Sequence, residues 1–496
     1  MSADIYIGID MGSTGLKAVA FEAGSGRGLA AAGGALPFVQ LPGGGCEIDA
    51  AAIDAALVGA LARVAALLGE RVRHVRALSC TGHGAGLYAL DRHGRLLRGR
   101  AVASTDQRAG ARARALGLRH GQALFADVGC APWSGQPTVI AAELLEQHLI
   151  QRGEIHRLMF AKDYLCFLLT GETVTDASDV STAGLLSLAR GVPSRQPFAA
   201  AGLDELADRT DAVLPRIGVA GTVAGLLRDT RAAQCGLPAG LPVAVGTIDL
   251  LASLAAVGAD TRGEAVAILG TWCVNAVVAP ARSPLPAVGA VVHFGEAQRR
   301  LYFENSPSSM ANVAWLARTL RLPDAAAVVE AAFSVPLGAQ GLRFLPFING
   351  GGAPEGASAG FIGLQGHHGP AHMARAVIDA VAALHARHLA RLASFGLGVP
   401  GRVSALGGGA RDRRVVQLIA GFLGHPVERC GDDETGARGA ALLAAKSLGD
   451  DAALPAPREC VAPPADAPAH ADFYASFHPL IDALSPAFGQ LSGNAA

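Results

Sequence analysis

IYIGIDMGSTGLKAVAFEA, residues 5–23, alternates apolar with other side chains and breaks that alternation once. Isoleucines alternate with other residues at its start, and the pattern resumes at Val19 and Phe21. Between these runs lies Gly-Ser-Thr-Gly, residues 12–15. Alternation on both sides of a Gly-rich turn predicts a β-hairpin.

A second stretch, EAVAILGTWCVNAVVAP, residues 264–280, has the same organisation. When the two are superimposed, Gly12 and Ser13 fall over Gly270 and Thr271. Strand, turn and strand then recur at the same offsets. One such hairpin in each half predicts two structurally related domains.

The intervening segments alternate between strand and helix patterns, which predicts an α/β fold. The predicted strands are 75–80, 242–246 and 403–406, a hairpin is predicted over 87–97, and the predicted helices are 50–69, 250–257 and 412–423. We place the domain boundary within 257–263 and expect an N-terminal domain of residues 1–258 and a C-terminal domain of residues 259–496. The Ala/Pro-rich segment 452–470 predicts a loop, and 472–491 a terminal helix interrupted near Pro486.

Composition excludes several classes of protein. The 496 residues carry 41 Lys plus Arg and 42 Asp plus Glu, a formal net charge of −1. This balance argues against a nucleic-acid partner or a polybasic membrane anchor. Apolar residues make up 51% of the chain and charged residues 17%, which excludes a disordered chain.

No membrane segment or secretion signal is expected. The most apolar candidate span, 241–259, carries Asp249 near its middle, and a central carboxylate is costly in lipid. The first ten residues lack the basic and apolar regions of a signal peptide. Eight cysteines without regular spacing predict reduced thiols rather than disulfides or a zinc site. We expect a cytoplasmic protein with no membrane partner, and the sequence leaves a homodimer open.

The first hairpin carries groups that suit a phosphate. Gly12 lets backbone amides approach a phosphate closely, and Ser13 and Thr14 add hydroxyl donors. Lys17 supplies a positive charge, and Asp10 at the strand end could hold Mg²⁺. A tight hairpin with an Asp-capped turn is the competing interpretation. The second hairpin has Ile268 where the first has Asp10, so only one half would supply a metal carboxylate.

Asp249 ends the strand PVAVGTID and precedes the helix LLASLAAV. Phosphoryl transfer to an alcohol needs a carboxylate that accepts the hydroxyl proton, and a strand-end Asp in a cleft suits that role. Asp is also a preferred helix N-cap, which is the competing interpretation.

Three further groups are candidate ligand contacts. The run 407–409 has three glycines between a strand and a helix and would let a purine lie against the backbone, although it does not match G-x-G-x-x-G. His83 in TGHG could bind sugar hydroxyls or serve as a structural hydrogen-bonder. Cys80 lacks the surroundings of a nucleophile. Asp106 could contact a polyol or form a solvated pair with Arg108.

Taken in order, these segments resemble the FGGY carbohydrate kinase family, which includes xylulose and glycerol kinases. AKDYLCFLLTGETVTDASDVSTAGLL, residues 161–186, is the most specific match, because so long a mixed pattern rarely arises by chance. The TGHG and ENSPSS patterns are most similar to the L-xylulose and 3-keto-L-gulonate kinase branch. The other matching segments are TDQRA (105–109), VGTIDLLAS (245–253), GFIGLQGHHGPAHMARAVIDAVA (360–382), LGGGARDRRVVQLIAGFLGHPVE (406–428) and ETGARGAALLA (434–444).

The resemblance implies two actin/hexokinase-like (ribonuclease H-like) domains around a cleft for ATP and a sugar. It implies Asp249 as the base and Asp10 as the Mg²⁺ ligand. It places His83 and Asp106 against the sugar. The implied nucleotide contacts are Gly12, Ser13, Thr14, Lys17, Gly270 and Thr271 at the phosphates and Gly408, Gly409 and Ala410 at the adenosine.

The expected activity is ATP-dependent phosphorylation of a terminal hydroxyl of a ketose. The alternatives are a polyol kinase of the same family and a catalytically silent, actin-like sugar or nucleotide sensor. The presence of both Asp10 and Asp249 argues against the sensor. Residues 347–359 lack the Arg-Ser-Pro of many relatives, and the run Gly350–Gly352 suggests a mobile loop or a hinge.

Overall fold

The computed structural model describes residues 4–259, 264–350, 357–397, 401–432, 434–450 and 454–493. Two larger sheets, one of six and one of seven strands, organise the described chain. The run Gly350–Gly352 lies outside the described residues after Gly350, and so does most of the predicted boundary 257–263.

The first half of the chain contains fifteen described strands. They are β1 (Ile5–Met11), β2 (Gly15–Glu22), β3 (Gly28–Ala35), β4 (Val39–Leu41), β5 (Gly45–Asp49), β6 (Val75–Gly82), β7 (Tyr88–Leu90), β8 (Arg100–Val102), β9 (Arg157–Met159), β10 (Val174–Asp176), β11 (Leu186–Ser187), β12 (Val192–Pro193), β13 (Arg216–Gly218), β14 (Val223–Leu226) and β15 (Pro242–Ala244). The second half contains β16 (Ala265–Leu269), β17 (Cys273–Pro280), β18 (Ala290–Phe294), β19 (Glu296–Ser306), β20 (Arg343–Leu345), β21 (Gly360–Ile362), β22 (Val403–Leu406), β23 (Val427–Cys430) and β24 (Arg458–Val461).

The helices of the described residues lie between and around these strands. They are α1 (Ala50–Leu68), α2 (Gly110–Val128), α3 (Pro137–Glu146), α4 (Ala161–Thr170), α5 (Ala177–Thr182), α6 (Gln196–Ala200), α7 (Asp204–Ala207), α8 (Thr210–Val213), α9 (Asp229–Cys235), α10 (Asp249–Ala256), α11 (Met310–Leu320), α12 (Ala325–Phe333), α13 (Pro370–Ser394), α14 (Arg413–Leu423), α15 (Thr435–Lys446) and α16 (Ala467–Gly493).

The two sheets share one core arrangement. In the first, β3, β2 and β1 pair antiparallel, and β6 and β15 follow parallel to β1. In the second, β19, β17 and β16 pair antiparallel, and β22 and β23 follow parallel to β16. Both predicted glycine hairpins are confirmed as β1–β2 and β16–β17. The repeated order confirms the predicted α/β fold with two related domains.

Two helices lie between the sheets and cross from one half to the other. α10 follows β15 of the first sheet, yet its Leu251 and Leu254 are buried in a cluster with side chains of the second sheet. α15 follows β23 of the second sheet, yet its alanines pack against Tyr6 and Phe21 of the first sheet. Each half therefore contributes a helix to the core of the other, which a single domain boundary within 257–263 does not suggest.

The crossing helices approach their neighbours closely at glycines. A Cβ on Gly8 of β1 would lie 1.7 Å from the carbonyl oxygen of Ala437 in α15. A Cβ on Gly439 of α15 would lie 1.9 Å from the carbonyl oxygen of Ala252 in α10. No side chain fits in either place, so glycine sets the spacing of sheet and helices.

Three sequence expectations need correction. The predicted loop 452–470 contains β24, which pairs with β23, and the first residues of α16. The predicted interruption near Pro486 is absent, because α16 continues through Pro479 and Pro486. In the predicted hairpin 87–97, the two arms are joined by a single isolated bridge between Leu90 and Leu96. The strand β7 forms its ladder with β9 instead.

One helical segment, Ala50–His74, is long and apolar enough by composition to cross a membrane. Within it, α1 buries Ile53, Leu57, Leu61 and Val64 in the core of the first half. All eight cysteines are free, and seven of them are buried.

Candidate active site

The first glycine turn lies at the end of β1. Asp10 and Lys17 are cross-strand partners, so the turn begins and ends beside an acid and a base. A Cβ on Gly12 would meet nothing closer than 3.9 Å, which leaves open space in front of the turn. The Leu36 amide donates to the Thr14 carbonyl at 2.9 Å and ties the turn to the chain after β3.

The second glycine turn lies between β16 and β17 and is fixed from behind by α11. The Ser309 amide donates to the Thr271 carbonyl at 2.9 Å, and the Met310 amide donates to the Gly270 carbonyl at 3.0 Å. Thr271 is exposed, and the adjacent Trp272 is 36% exposed. The turn thus presents its outer side to solvent.

Asp10 lies among other acids at the meeting point of the crossing helices. Desolvation and the negative charges of Asp249 and Glu434 raise its pKa to about 7, which Lys17 partly offsets. Its Oδ1 atom is buried and has no hydrogen-bond partner. A Cβ on Gly436 of α15 would lie 2.2 Å from Asp10 Oδ2, so glycine there makes room for the carboxylate.

Asp249 is the first residue of α10, and the N-cap position belongs to Ile248. The capping interpretation of Asp249 is therefore wrong by one position. Its Oδ1 accepts the Leu250 amide at 2.7 Å. Desolvation raises the pKa of Asp249 to about 6, and the Leu250 hydrogen bond limits the rise. A bridge between Gly82 and Ile248 holds Asp249 beside the end of β6.

A buried ion cluster supports the segment between β15 and α10, which leads to Asp249. The Lys162 ammonium contacts Asp163, lies 3.0 Å from Asp176 and lies 3.4 Å from Asp179. Thr247, two residues before Asp249, donates its hydroxyl to Asp176 at 3.3 Å. The segment with the most specific family resemblance thus forms the wall behind the proposed base.

Lys17 is not free in this structure. Its ammonium forms an ion pair with Glu434, which immediately precedes α15. The sequence alone does not single out Glu434. Its only signal is its place in ETGARGAALLA, and nothing in that segment indicates that α15 returns to the first hairpin.

The acids at Asp10 suit Mg²⁺ in chemistry but do not form a complete site. Asp10 offers an unpartnered buried carboxylate oxygen, and carboxylates are the ligands that Mg²⁺ prefers. Within the described ranges, no group of three or more His, Cys, Asp or Glu is arranged to hold a metal. This fits an ion bound by one or two carboxylates together with substrate phosphates and water.

The predicted sugar contacts are engaged with other protein groups. His83 Nε2 lies 3.1 Å from the Tyr88 hydroxyl, and its Nδ1 lies 3.3 Å from the Ser104 hydroxyl. Burial lowers the pKa of His83 to about 4, so the ring is neutral near pH 7. Asp106 accepts the Cys46 amide at 2.7 Å and is paired with Arg108.

Cys80 is not a nucleophile in this structure. It is 1% exposed, and burial raises its pKa well above the usual thiol value. A thiolate is therefore disfavoured at this position.

The glycine run after β22 serves packing at two of its positions. Gly407 has a φ of +86°, and a Cβ there would lie 3.1 Å from the backbone of Leu269. A Cβ on Gly409 would lie 2.7 Å from Met310 Sδ. Ala410 is wholly buried and presents no surface to a nucleotide. Of the expected adenosine contacts, Gly408 is the exposed one, and a Cβ there would meet nothing within 4 Å.

Two family models together match most of the chain. The N-terminal domain of the FGGY family of carbohydrate kinases matches residues 5–258, and the C-terminal domain of that family matches residues 265–448. The chain belongs to the FGGY family of carbohydrate kinases. This FGGY kinase is accordingly a phosphotransferase that acts on a sugar, and members of the family use ATP.

Similar proteins extend over nearly the whole chain of this FGGY kinase. A "Probable L-xylulose kinase" of Pasteurella multocida (strain Pm70) is 28% identical over 457 residues, which cover 90% of this chain and 91% of the relative. The "L-xylulose/3-keto-L-gulonate kinase" of Escherichia coli (strain K12) is 27% identical over 453 residues, covering 90% and 88%. A crystal structure of xylulose kinase from Lactobacillus acidophilus superimposes with a TM-score of 0.87 at 20% identity, covering 98% and 100%.

Proposed function

We propose that this kinase transfers the γ-phosphoryl group of ATP to a terminal hydroxyl of a ketose, with Asp249 as the general base. The observation that carries the proposal is the state of Asp249. Its carboxylate is held at a strand-to-helix junction by one backbone amide, and its pKa is raised to about 6. A base with that pKa is ionised at neutral pH and can still accept a proton from an alcohol.

In the proposed step, Asp249 accepts the proton of the sugar hydroxyl as its oxygen bonds to the γ-phosphorus. The bond from the γ-phosphorus to the bridging oxygen breaks, and ADP leaves with the electron pair. The two glycine turns, with Gly12, Ser13, Thr14, Gly270 and Thr271, are the proposed phosphate contacts. Mg²⁺, held at Asp10, would neutralise phosphate charge. Lys17 would reach the phosphates by exchanging its ion pair with Glu434.

We propose Gly408 as the adenosine contact that is accessible here. Gly409 and Ala410 act through the shape of the turn, since both are buried. His83 and Asp106 remain the proposed sugar-side residues. His83 would exchange its Ser104 hydrogen bond for a sugar hydroxyl, while Arg108 keeps Asp106 in place.

Exclusion of water is the second requirement of a sugar kinase, because water competes with the sugar for the phosphoryl group. The two crossing helices pack the two halves of the chain against each other. We propose that rotation about these helices closes the cleft on the bound sugar.

A coupled ADP-release assay over ketoses, alditols and keto-acid sugars tests the substrate class. The names of the relatives make L-xylulose and 3-keto-L-gulonate the first sugars to include. We expect sugar-dependent ADP release with a ketose. Preference for an alditol would favour the polyol kinase. The ketose proposal would be contradicted if no sugar in the panel raised ADP release above the rate measured without sugar.

A further inference from the structure

Ser309 occupies the N-cap position of α11 but does not cap its own helix. Its hydroxyl instead lies 3.0 Å from His385 Nε2 on α13. A serine at this position usually accepts an amide of the first helical turn. An N-cap side chain bonds the second or third amide of its helix, so the amides of Ser309 itself and of Met310 need an acceptor outside the helix in any case.

That acceptor is the second glycine turn. The amides of Ser309 and Met310 donate to the carbonyls of Thr271 and Gly270. In a trans peptide the N–H points opposite to the C=O. Carbonyls turned toward α11 therefore direct the amides of Thr271 and Trp272 to the open side of the turn. In the part of the chain that the structure describes, neither amide donates a hydrogen bond.

A buried chain of hydrogen bonds fixes Ser309. His385 Nδ1 lies 2.9 Å from Asn275 Oδ1, and Asn275 Nδ2 lies 3.1 Å from His388 Nδ1. An amide oxygen only accepts and an amide nitrogen only donates. His385 therefore donates from Nδ1, which leaves its Nε2 as the acceptor for the Ser309 hydroxyl.

The network is neutral and joins three elements. Asn275 lies on β17, Ser309 precedes α11, and both histidines lie on α13. All four residues are at most 6% exposed, and burial lowers the pKa of each histidine to about 3. Since neither ring is protonated at neutral pH, Nε2 of His385 stays an acceptor. The direction of the chain is thus fixed.

We propose that Ser309, His385, Asn275 and His388 are positioning residues that aim the amides of the second glycine turn at the phosphates of the bound nucleotide. The network holds the start of α11, α11 holds the two turn carbonyls, and the carbonyls orient the two outward amides. This inference rests on the nucleotide site of the proposed function and does not depend on which sugar is phosphorylated.

The test compares two adjacent, equally buried serines. Ser309→Ala removes the network hydroxyl. Ser308→Ala is the matched control, because the Ser308 hydroxyl is bound to the Gly350 carbonyl and the Asn349 amide and not to the network. Calorimetric titration with MgATP alone measures nucleotide affinity without any sugar. Steady-state assays then separate the KM for ATP from the KM for the sugar.

We expect Ser309→Ala to weaken MgATP binding by about tenfold, the scale of one lost hydrogen bond, with the sugar KM within about twofold of wild type. Ser308→Ala should stay within about twofold for both. Ser309→Cys replaces the hydroxyl by a thiol of similar size that is a poor hydrogen-bond donor. This variant replaces Ser309→Ala in the test if the alanine variant does not fold. Unchanged MgATP affinity in Ser309→Ala or Ser309→Cys, or an equal loss in Ser308→Ala, would overturn the proposal. Failure of the ketose proposal leaves the calorimetric result unaffected.

Discussion

The negative charge of Asp249 contributes to the raised pKa of Asp10, which reaches about 7 in the folded chain. Asp10 is the last residue but one of β1, and Asp249 begins the helix that crosses to the second half. A site that keeps two such acids close favours a cation between them and the substrate phosphates. The proposed roles follow from this pair: Asp10 binds Mg²⁺, and Asp249 accepts the proton of the sugar hydroxyl.

The pH dependence of the kinase should report Asp249. With its pKa raised to about 6, the base is protonated below that pH and ionised above it. We expect kcat/KM for the sugar to rise about tenfold per pH unit below 6 and to level off above it, at saturating Mg²⁺. At low Mg²⁺ the rise should move toward pH 7, where Asp10 titrates without the cation. A rate that is flat from pH 5 to 8 would rule out Asp249 as the titrating base.

Asp249→Asn should lower kcat by about 10² to 10⁴-fold, because the amide cannot accept the hydroxyl proton. MgATP affinity should stay within about threefold. Asp229→Asn is the matched control, since Asp229 is likewise the first residue of a helix but is exposed. Turnover at the wild-type rate in purified Asp249→Asn protein would remove Asp249 from the base role.

Much of the fold follows from local patterns. The alternating residues before and after each glycine turn define strands β1, β2, β16 and β17, because hairpin pairing is a short-range property. The crossing of α15 onto the first sheet has no local signal. It depends on Gly8 and Gly436 meeting residues more than 400 positions away, and these are ordinary glycines in the sequence. Likewise, α16 continues through Pro486 although local propensity predicts a break.

The candidate site could likewise be predicted in part from the sequence. Strand patterns and a glycine turn lead to Asp10 and Asp249 as candidate residues, since the ends of neighbouring parallel strands meet at one edge of a sheet. The sequence does not show that Glu434 pairs with Lys17, nor that His83 already has two hydrogen-bond partners. These depend on the packing of separate elements. Ala410 looks like a contact in the motif, but the fold buries it.

Asp10→Asn should stabilise the free protein at alkaline pH. The pKa of Asp10 is raised from 3.8 to about 7, so the folded state holds its proton more tightly than the unfolded state. Wild-type stability therefore falls as pH rises from about 4 to 7. Without Mg²⁺, we expect the variant to melt a few degrees above wild type at pH 8 and near it at pH 4. Calorimetric melting at both pH values measures this. Equal melting temperatures at pH 8 would contradict a desolvated carboxylate.

The same Asp10→Asn variant should be activated by Mg²⁺ less readily than the wild type. An amide is a weaker ligand than a carboxylate, so activation by Mg²⁺ should require about tenfold more metal or fail. Sugar binding measured without nucleotide should be unchanged. An Mg²⁺ activation curve identical to wild type would remove Asp10 from the metal role.

Gly436→Ala should impair catalysis more than stability. The new Cβ would lie 2.2 Å from Asp10 Oδ2, so the carboxylate must move. We expect kcat/KM for MgATP to fall by about tenfold or more while the protein still folds. Gly431→Ala is the control, because its Cβ would meet nothing closer than 3.9 Å. Activity and Mg²⁺ dependence equal to wild type in Gly436→Ala would show that the position of Asp10 does not matter.

Alanine substitutions at the adjacent Gly408 and Gly409 should affect different properties, the KM for ATP and the melting temperature respectively. Gly409→Ala places a methyl group 2.7 Å from Met310 Sδ and 2.8 Å from Leu269 Cβ, so it should lower the melting temperature through overpacking. Gly408→Ala meets no neighbour within 4 Å and should leave melting unchanged. If adenosine lies against Gly408, this methyl group occupies its place, and the KM for ATP should rise by about fivefold or more while the sugar KM is constant. An unchanged KM for ATP in Gly408→Ala would move the adenosine away from this turn, whatever the stability of Gly409→Ala.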